Sequence, residues 1–378
     1  MRFTHLKLEN WRNFLKVDVP LQRRVFLVGP NASGKSNLLD VFRFLRDIAD
    51  DQGGFQRAVK SRRGVSKLRS LHARRYPNIV IDVTIEMEAH TWNYRLEFTQ
   101  DNLRRPIVSK ETVLRNGDVM LDRPNDQDVS DSELLTQTHL EQINANKEFR
   151  PIADFFKKIR YLHIVPQLIR DPDRSSGMQG DPFGGDFLEQ LVRMPKKTLQ
   201  SRLRRIVGAL KVAVPNFDEL ELERDERGTP HLKGLYSHWR PDAGWQSEDQ
   251  FSDGTLRLLG LLWVFLDGTA PLLLEEPELS LHYAVVRNIP GILARLGRRT
   301  GRQVMLSTHS AELLADEGID ANEVFLLRPT TEDTVVTVAS HDLEIRHLLE
   351  GGLSIADVVL PRTAPPVVQQ LTLFGDSL

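Results

Sequence analysis

The chain has 378 residues, 40% of them hydrophobic, enough for one large or two medium domains around a sizeable core. It has no cysteine, which excludes disulfide staples and cysteine-ligated zinc or iron–sulfur sites. No apolar run approaches the roughly 20 residues that cross a bilayer. The net charge is −2, but it is segregated: Gln52–Ile81 and Gln190–Phe217 hold many cations and no acid.

Alternation predicts a strand over Phe3–Leu8, with none of the apolar block of a signal peptide, so a cytoplasmic location is expected. Val25–Val28 reads as a short buried strand, followed by a glycine-rich turn and a helix over Asn37–Ile48. The first basic stretch, with Arg57 and Arg75 near its ends, reads as an irregular excursion. Ile79–Met87, Trp92–Phe98 and Ile107–Arg115 alternate as antiparallel strands, with Asn116-Gly117 as a turn. Leu134–Ile159 reads as two helices broken at Pro151, and Tyr161–Val165 as a strand. Asp171–Gly185 is a Gly/Pro/Asp-rich loop.

Phe187–Val212 reads as helical and basic, and Glu219–Arg224 with His231–Tyr236 as a hairpin. A helix is expected over Phe251–Phe265, a buried strand over Leu272–Leu274 and a helix over Ala284–Leu296. Strands follow at Gln303–Ser307 and Val324–Leu327, then a Pro-rich tail from Pro361. No internal repeat or long heptad run is present. His231, His238 and His282 lack metal-ligand spacing and read as structural.

Gly29-Pro30-Asn31-Ala32-Ser33-Gly34-Lys35-Ser36 fits the phosphate-loop pattern, after a strand and before a helix as that pattern demands. Glycines let backbone N–H groups curl inward onto phosphate oxygens, and the helix N-terminus adds its positive dipole end. Lys35 is expected on the β- and γ-phosphates and Ser36 on Mg²⁺. Leu272–Glu275 with Glu276, Pro277 and Glu278 is an apolar strand ending in adjacent acids, delivered to the sheet edge where α/β folds bind ligands. One acid suits a metal shell and the next a water-polarising role.

Together these motifs resemble those of ATP-binding-cassette ATPases. Phe251-Ser252-Asp253-Gly254-Thr255 looks like the signature loop, Glu278-Leu279-Ser280-Leu281-His282 like the D-loop, and Ser307-Thr308-His309-Ser310 like the switch histidine. The wording is closer to RecF, structural-maintenance and OLD-type ATPases than to transporter subunits. The resemblance implies an α/β ABC-type head, a phosphate-loop parallel sheet joined to an antiparallel lobe, with a helical insertion. It divides the chain into 1–129 and 214–330 as the two halves of the head, 130–213 as the insertion and 331–378 as an extension and flexible tail.

By the same resemblance, residues 29–36 and Asn37 bind the phosphates of ATP, and Arg12 and Asn13 touch the nucleotide. Ser252 and Gly254 close on ATP held by a second copy, which makes a homodimer. Glu275, where most relatives carry Asp, holds Mg²⁺ together with Ser36, and Gln167 is the candidate glutamine that completes the metal shell. Glu276 positions or activates water, His309 senses the γ-phosphate, and Lys35 completes the catalytic set. The expected function is an ATPase of DNA maintenance. The alternative is an OLD-like defence ATPase that controls a separate nuclease or toxin, since no Asp-x-Asp metal pair follows His309. DNA is expected along Arg57–Arg75 and Arg193–Lys211. Gln370-Leu371-Thr372-Leu373-Phe374 resembles a sliding-clamp docking peptide, with Leu and Phe anchors for an apolar groove.

Overall fold

The computed structural model describes residues 1–73, 77–170, 181, 183–237 and 244–364. In chain order the strands are β1 (Arg2–Trp11), β2 (Phe14–Pro20), β3 (Arg24–Val28), β4 (Ile79–Met87), β5 (His90–Gln100), β6 (Pro106–Arg115) and β7 (Asp118–Arg123). They continue as β8 (Arg160–Leu162), β9 (Phe217–Arg224), β10 (Pro230–Tyr236), β11 (Trp245–Ser247), β12 (Leu272–Glu275), β13 (Val304–Thr308), β14 (Val324–Pro329) and β15 (Thr334–Val338).

Two six-stranded sheets form the head. One is antiparallel, in the order β2-β1-β4-β5-β6-β7. The other, β15-β14-β3-β13-β12-β8, is parallel except for β15. The short strands β3, β12 and β13 are almost wholly buried because helices or the second sheet cover both faces. β4 and β5 instead alternate, as strands with one wet face do.

The phosphate-loop helix, Lys35–Ala49, lies between the sheets. It buries Leu38, Leu39, Phe42, Leu45 and Ile48, the face that helical periodicity predicts. Phe3 packs on Phe42 and Phe155 at ring distances of 4.8 and 5.0 Å, joining β1, this helix and the helix Arg150–Lys157 in one core. Each such buried ring contributes about 1.5–3 kcal/mol.

A second core covers the far side of the parallel sheet and includes Phe26, Leu306, Leu293 and Leu326. A third joins the helices Phe187–Val192 and Lys196–Ala213 to the small sheet β11-β10-β9 and to the helix Asp253–Phe265. The antiparallel lobe carries one fully buried ion cluster. Arg123 pairs with Asp128 at 2.5 Å and Glu111 at 3.2 Å, and donates to the carbonyls of Leu134 and Gln137. Burial pushes the Glu111 carboxyl up, against the pull of Arg123 and two backbone N–H donors.

Several elements differ from expectation. Leu134–Ile159 holds one α-helix, Arg150–Lys157, and Pro151 starts it rather than breaking it, since the first turn needs no proline N–H. The predicted strand Tyr161–Val165 is Arg160–Leu162, and Pro166 then opens a short helix to Arg170. Pro195 divides the stretch expected to be helical and basic by capping Lys196–Ala213. The basic excursion contains the helices Phe55–Ser61 and Val65–Leu68, while Arg74 and Arg75 lie outside the described residues. The stretch 130–213, expected as a helical insertion, contributes β8 to the nucleotide sheet and Phe155 and Phe156 to the main core. Its later part, from Ile164 through the helices Pro166–Arg170, Phe187–Val192 and Lys196–Ala213, packs in the third core.

Candidate nucleotide and metal site

The parallel register sets the site. Glu275 is level with Ser307 across β12 and β13, and Thr308 with Val28 across β13 and β3. Gly29, Glu276 and His309 each leave the end of one of these three adjacent strands. The carboxyl edge of the sheet therefore gathers all three motifs.

The phosphate loop is shaped by contacts that exclude side chains. Gly34 has φ 94°, a region where glycine is at ease, and a Cβ there would meet the Asn13 side chain. A Cβ on Gly29 would lie 2.6 Å from the Leu327 carbonyl oxygen. Lys35 Nζ donates to the carbonyls of Gly29 at 2.9 Å and Pro30 at 3.1 Å, arching back over its own loop. Burial pulls the Lys35 ammonium below the ordinary lysine range, against the raising charges of Glu276, Glu275 and Glu278. The Ser33 hydroxyl is buried without a partner. The helix behind the loop has no acid in its first turn to occupy its positive end. A buried cation, an orphaned hydroxyl and an uncapped helix N-terminus together fit a bound polyphosphate. Asn31, Ala32 and Ser36 are exposed around it.

Ser36 donates to one oxygen of Glu275, and the Tyr161 hydroxyl donates to the other. These are hard oxygen donors of the kind Mg²⁺ takes, one carboxylate and one hydroxyl completed by phosphate and water. Among the described residues no group of three or more His, Cys, Asp or Glu side chains is placed to hold a metal by itself. The longer Glu in place of Asp still reaches Ser36.

Tyr161 was not legible as a site residue. It lies level with Leu273, so its side chain shares the face on which Glu275 stands two residues on. The Arg43 guanidinium covers its ring at 4.2 Å, and burial and the Glu275 charge push its hydroxyl pKa upward, so it stays a donor. Partners that orient a metal ligand are typically worth about 10–100-fold. Tyr161→Phe is therefore expected to raise the Mg²⁺ concentration for half-maximal ATP turnover by about tenfold. A Mg²⁺ titration matching the wild type would remove that role.

Glu276 stands just beyond β12 with φ 44°, a left-handed conformation that costs a non-glycine residue about 1–2 kcal/mol. Its N–H donates to the Ser307 carbonyl at 3.1 Å, and Oε1 is 3.4 Å from Nε2 of His309. The two adjacent acids thus serve different partners. Burial, then the nearby Lys35 charge, lowers the His309 pKa, partly offset by Glu276, which favours the neutral ring. Glu278 holds the switch in place: it accepts from Thr308 Oγ1 at 2.6 Å and from the His309 N–H at 3.0 Å. Its other oxygen is buried without a partner.

Asn13 braces the loop. Its amide donates to the Ser33 carbonyl at 3.0 Å and the Thr334 hydroxyl at 2.8 Å, and its oxygen accepts from Asn37 at 2.7 Å. Arg12 pairs with Asp40 at 2.7 Å. Asn13, Asn37 and Arg12 are thus engaged within the protein, and their contacts support the loop from behind. Gln167 is exposed on the helix Pro166–Arg170, and among the described residues no hydrogen bond joins it to Ser36 or Glu275. Beside Ser36, the side chain that reaches Glu275 is Tyr161, because the strand ends at Leu162 before Gln167.

Ser252 caps the helix Asp253–Phe265 by accepting from the Thr255 N–H at 3.1 Å. A Cβ on Gly254 would meet the Ser280 carbonyl oxygen of the D-loop at 2.6 Å, so glycine lets signature and D-loop touch. Among the described contacts none joins Ser252 or Gly254 to the phosphate loop of the same chain. His231 bonds Glu248 at 2.8 Å and His282 caps a short helix, both structural, while His238 lies outside the described residues.

A phosphate loop, an acid-tipped neighbouring strand, a switch histidine and a capped signature helix on two joined sheets define an ABC-type ATPase head of the RecF, structural-maintenance and OLD-like group. A family model described as "AAA domain, putative AbiEii toxin, Type IV TA system" matches residues 24–315, and the chain belongs to that family, AAA_21. Endonuclease GajA of Bacillus cereus (strain VD045) is 22% identical over 343 residues, 83% of this chain and 56% of the relative. The chain thus spans little more than half the length of the curated relative it matches. The crystal structure of an SMC head bound to the C-winged helix domain of ScpA shares the fold, with a TM-score of 0.50 and 17% identity over 89% of this chain and 97% of that one. The SMC head domain from Thermotoga maritima gives a TM-score of 0.49 and 14% identity over 89% and 99%.

Proposed function

We propose that this chain hydrolyses ATP with Mg²⁺ at a composite site made by two copies, and that the ATP-loaded dimer binds DNA and controls an effector of the nuclease or toxin kind. The observation that carries the reading is the pairing of Ser36 with Glu275 beside Glu276 and His309 at one sheet edge. Lys35 and Ser36 hold the phosphates and the metal, Mg²⁺ supplies charge neutralisation at the γ-phosphate, and Glu276 orients the attacking water. Ser252 and Gly254, at the start of the signature helix, are assigned to the nucleotide of the second copy. The effector reading is supported by the toxin in the family's description and by a relative that is an endonuclease. DNA is assigned to the Arg57–Arg75 and Arg193–Lys211 segments. Among the described residues no helix is long and apolar enough to cross a membrane, and the cytoplasm is the proposed location.

A role in DNA repair or recombination is the second reading. It is favoured by the clamp-like peptide Gln370–Phe374, which lies outside the described residues.

Steady-state ATP turnover with and without duplex DNA tests both parts, with Glu276→Gln as the blank. Turnover that rises with DNA and vanishes in the variant is expected. Turnover indifferent to DNA would move the ligand to a protein partner, and turnover equal in the variant would remove the catalytic assignment.

A further inference from the structure

We propose that nucleic-acid backbone lies in one particular groove of the antiparallel lobe, and that this groove is linked by side chains to the phosphate-loop helix. The inference rests on the DNA reading above and gives it a place and a route of regulation.

The groove runs between the helix Phe55–Ser61 with its following turn and the tip of the β5–β6 hairpin. It has a volume of about 930 Å³, and its walls carry Arg57, Lys60, Arg63, Arg104 and Arg105. Arg105 is neutralised by Asp101 at 2.8 Å and Glu133 at 3.1 Å. The others are not. Among the described residues Arg57 donates to the Gln52 carbonyl and has no ion pair, and Lys60, Arg63 and Arg104 are exposed with none. Four uncompensated cations around one concavity repel one another and attract a polyanion.

The backbone adds to this. Arg63 and Arg104, on opposite lips, both have left-handed conformations, at φ 68° and 63°. Each costs about 1–2 kcal/mol for a side chain of this kind, and such strain concentrates at ligand clamps.

The other basic segment is a weaker seat. Arg202 pairs with Asp267 at 3.2 Å, Arg193 with Glu189 at 2.9 Å and Lys211 with Asp218 at 3.2 Å, and the exposed Lys196, Lys197, Arg204 and Arg205 do not line the cleft beside the helix. The cleft beside it, about 350 Å³, sets Asp186 and Asp267 against Arg160 and Arg193, a wall of mixed charge.

Arg62 supplies the link. It stands between the groove cations Lys60 and Arg63 but turns inward, buried. Its guanidinium binds Asp40 at 2.8 Å and Asp47 at 2.9 Å, both on the helix that begins at Lys35. Asp40 also takes Arg12, the neighbour of the loop brace Asn13. A shift of the groove turn therefore pulls on the helix that presents Lys35 and Ser36.

The test is binding of a fluorescent 30-base-pair duplex across a salt series. The variant combines Lys60→Gln, Arg63→Asn and Arg104→Asn, asparagine being chosen because it tolerates the left-handed region. Loss of three phosphate contacts is expected to reduce the slope of log affinity against log salt by about 2–3 and to weaken binding at least tenfold. Thermal melting at the wild-type temperature shows that the variant folds. Lys147→Gln with Arg298→Gln and Arg299→Gln, a loss of three charges at exposed positions outside both basic segments, is expected to leave most of the slope. A wild type that binds while the groove variant binds equally well overturns the groove and leaves the DNA reading standing. A wild type that never binds duplex overturns both. For the link, Asp47→Asn is expected to keep duplex affinity and lose DNA-dependent change in turnover; a response equal to wild type would remove it.

Discussion

Glu276→Gln is expected to bind ATP as the wild type does and to lose turnover by about 10²–10⁴-fold, the usual worth of a positioned acid–base group. Gln keeps the shape of the side chain beside His309, whose Nε2 lies 3.4 Å from the carboxylate. What it removes is the negative charge that polarises water. Glu275, which contacts Ser36 and Tyr161, is untouched, so nucleotide and metal binding should persist. A single-turnover assay with ATP affinity measured alongside checks this. Turnover within threefold of wild type would place the water-activating role elsewhere.

Lys35→Ala is expected to remove ATP binding. A phosphate contact by a charged donor is worth about 1.5–3 kcal/mol, and Lys35 is expected to make two, so the loss is about 3–6 kcal/mol, or roughly 10²–10⁴-fold in affinity. Lys35 now donates to the Gly29 and Pro30 carbonyls. Its removal therefore also frees two loop carbonyls and loosens the arch. Calorimetric titration with ATP reads the outcome. Affinity equal to wild type would remove the phosphate-loop assignment.

The head was legible because its signals are local. The phosphate loop needs glycines where Gly29 and Gly34 stand, the helix after it shows its buried face in 3.6-residue spacing, and β12 is an apolar run with acids at its tip. Partners set by pairing register were not legible. Tyr161 reaches Glu275 only because β8 lies level with β12 from Arg160 to Leu162, 112 residues away in sequence. Glu278 could be read as part of the D-loop, but its hold on the His309 N–H depends on how β12 and β13 end side by side. Asn13, expected on the nucleotide, holds Ser33 and Thr334, a pairing that depends on β15 returning to the start of β2. Pro151 marked a boundary correctly in place and wrongly in kind, since proline starts a helix as readily as it interrupts one, and Pro195, inside a stretch read as helical, caps a new helix. Arg62 looked like any cation in a basic run, and only burial against Asp40 and Asp47 separates it from Lys60 and Arg63.

The measurement to make first is the mass of the Glu276→Gln variant by sedimentation velocity with and without ATP and Mg²⁺. A composite site predicts a 43.2 kDa monomer that doubles in mass only with ATP, and that stays monomeric when Ser252→Arg is added to block the signature loop. A variant that binds ATP yet remains a monomer at high protein concentration would contradict the two-copy site.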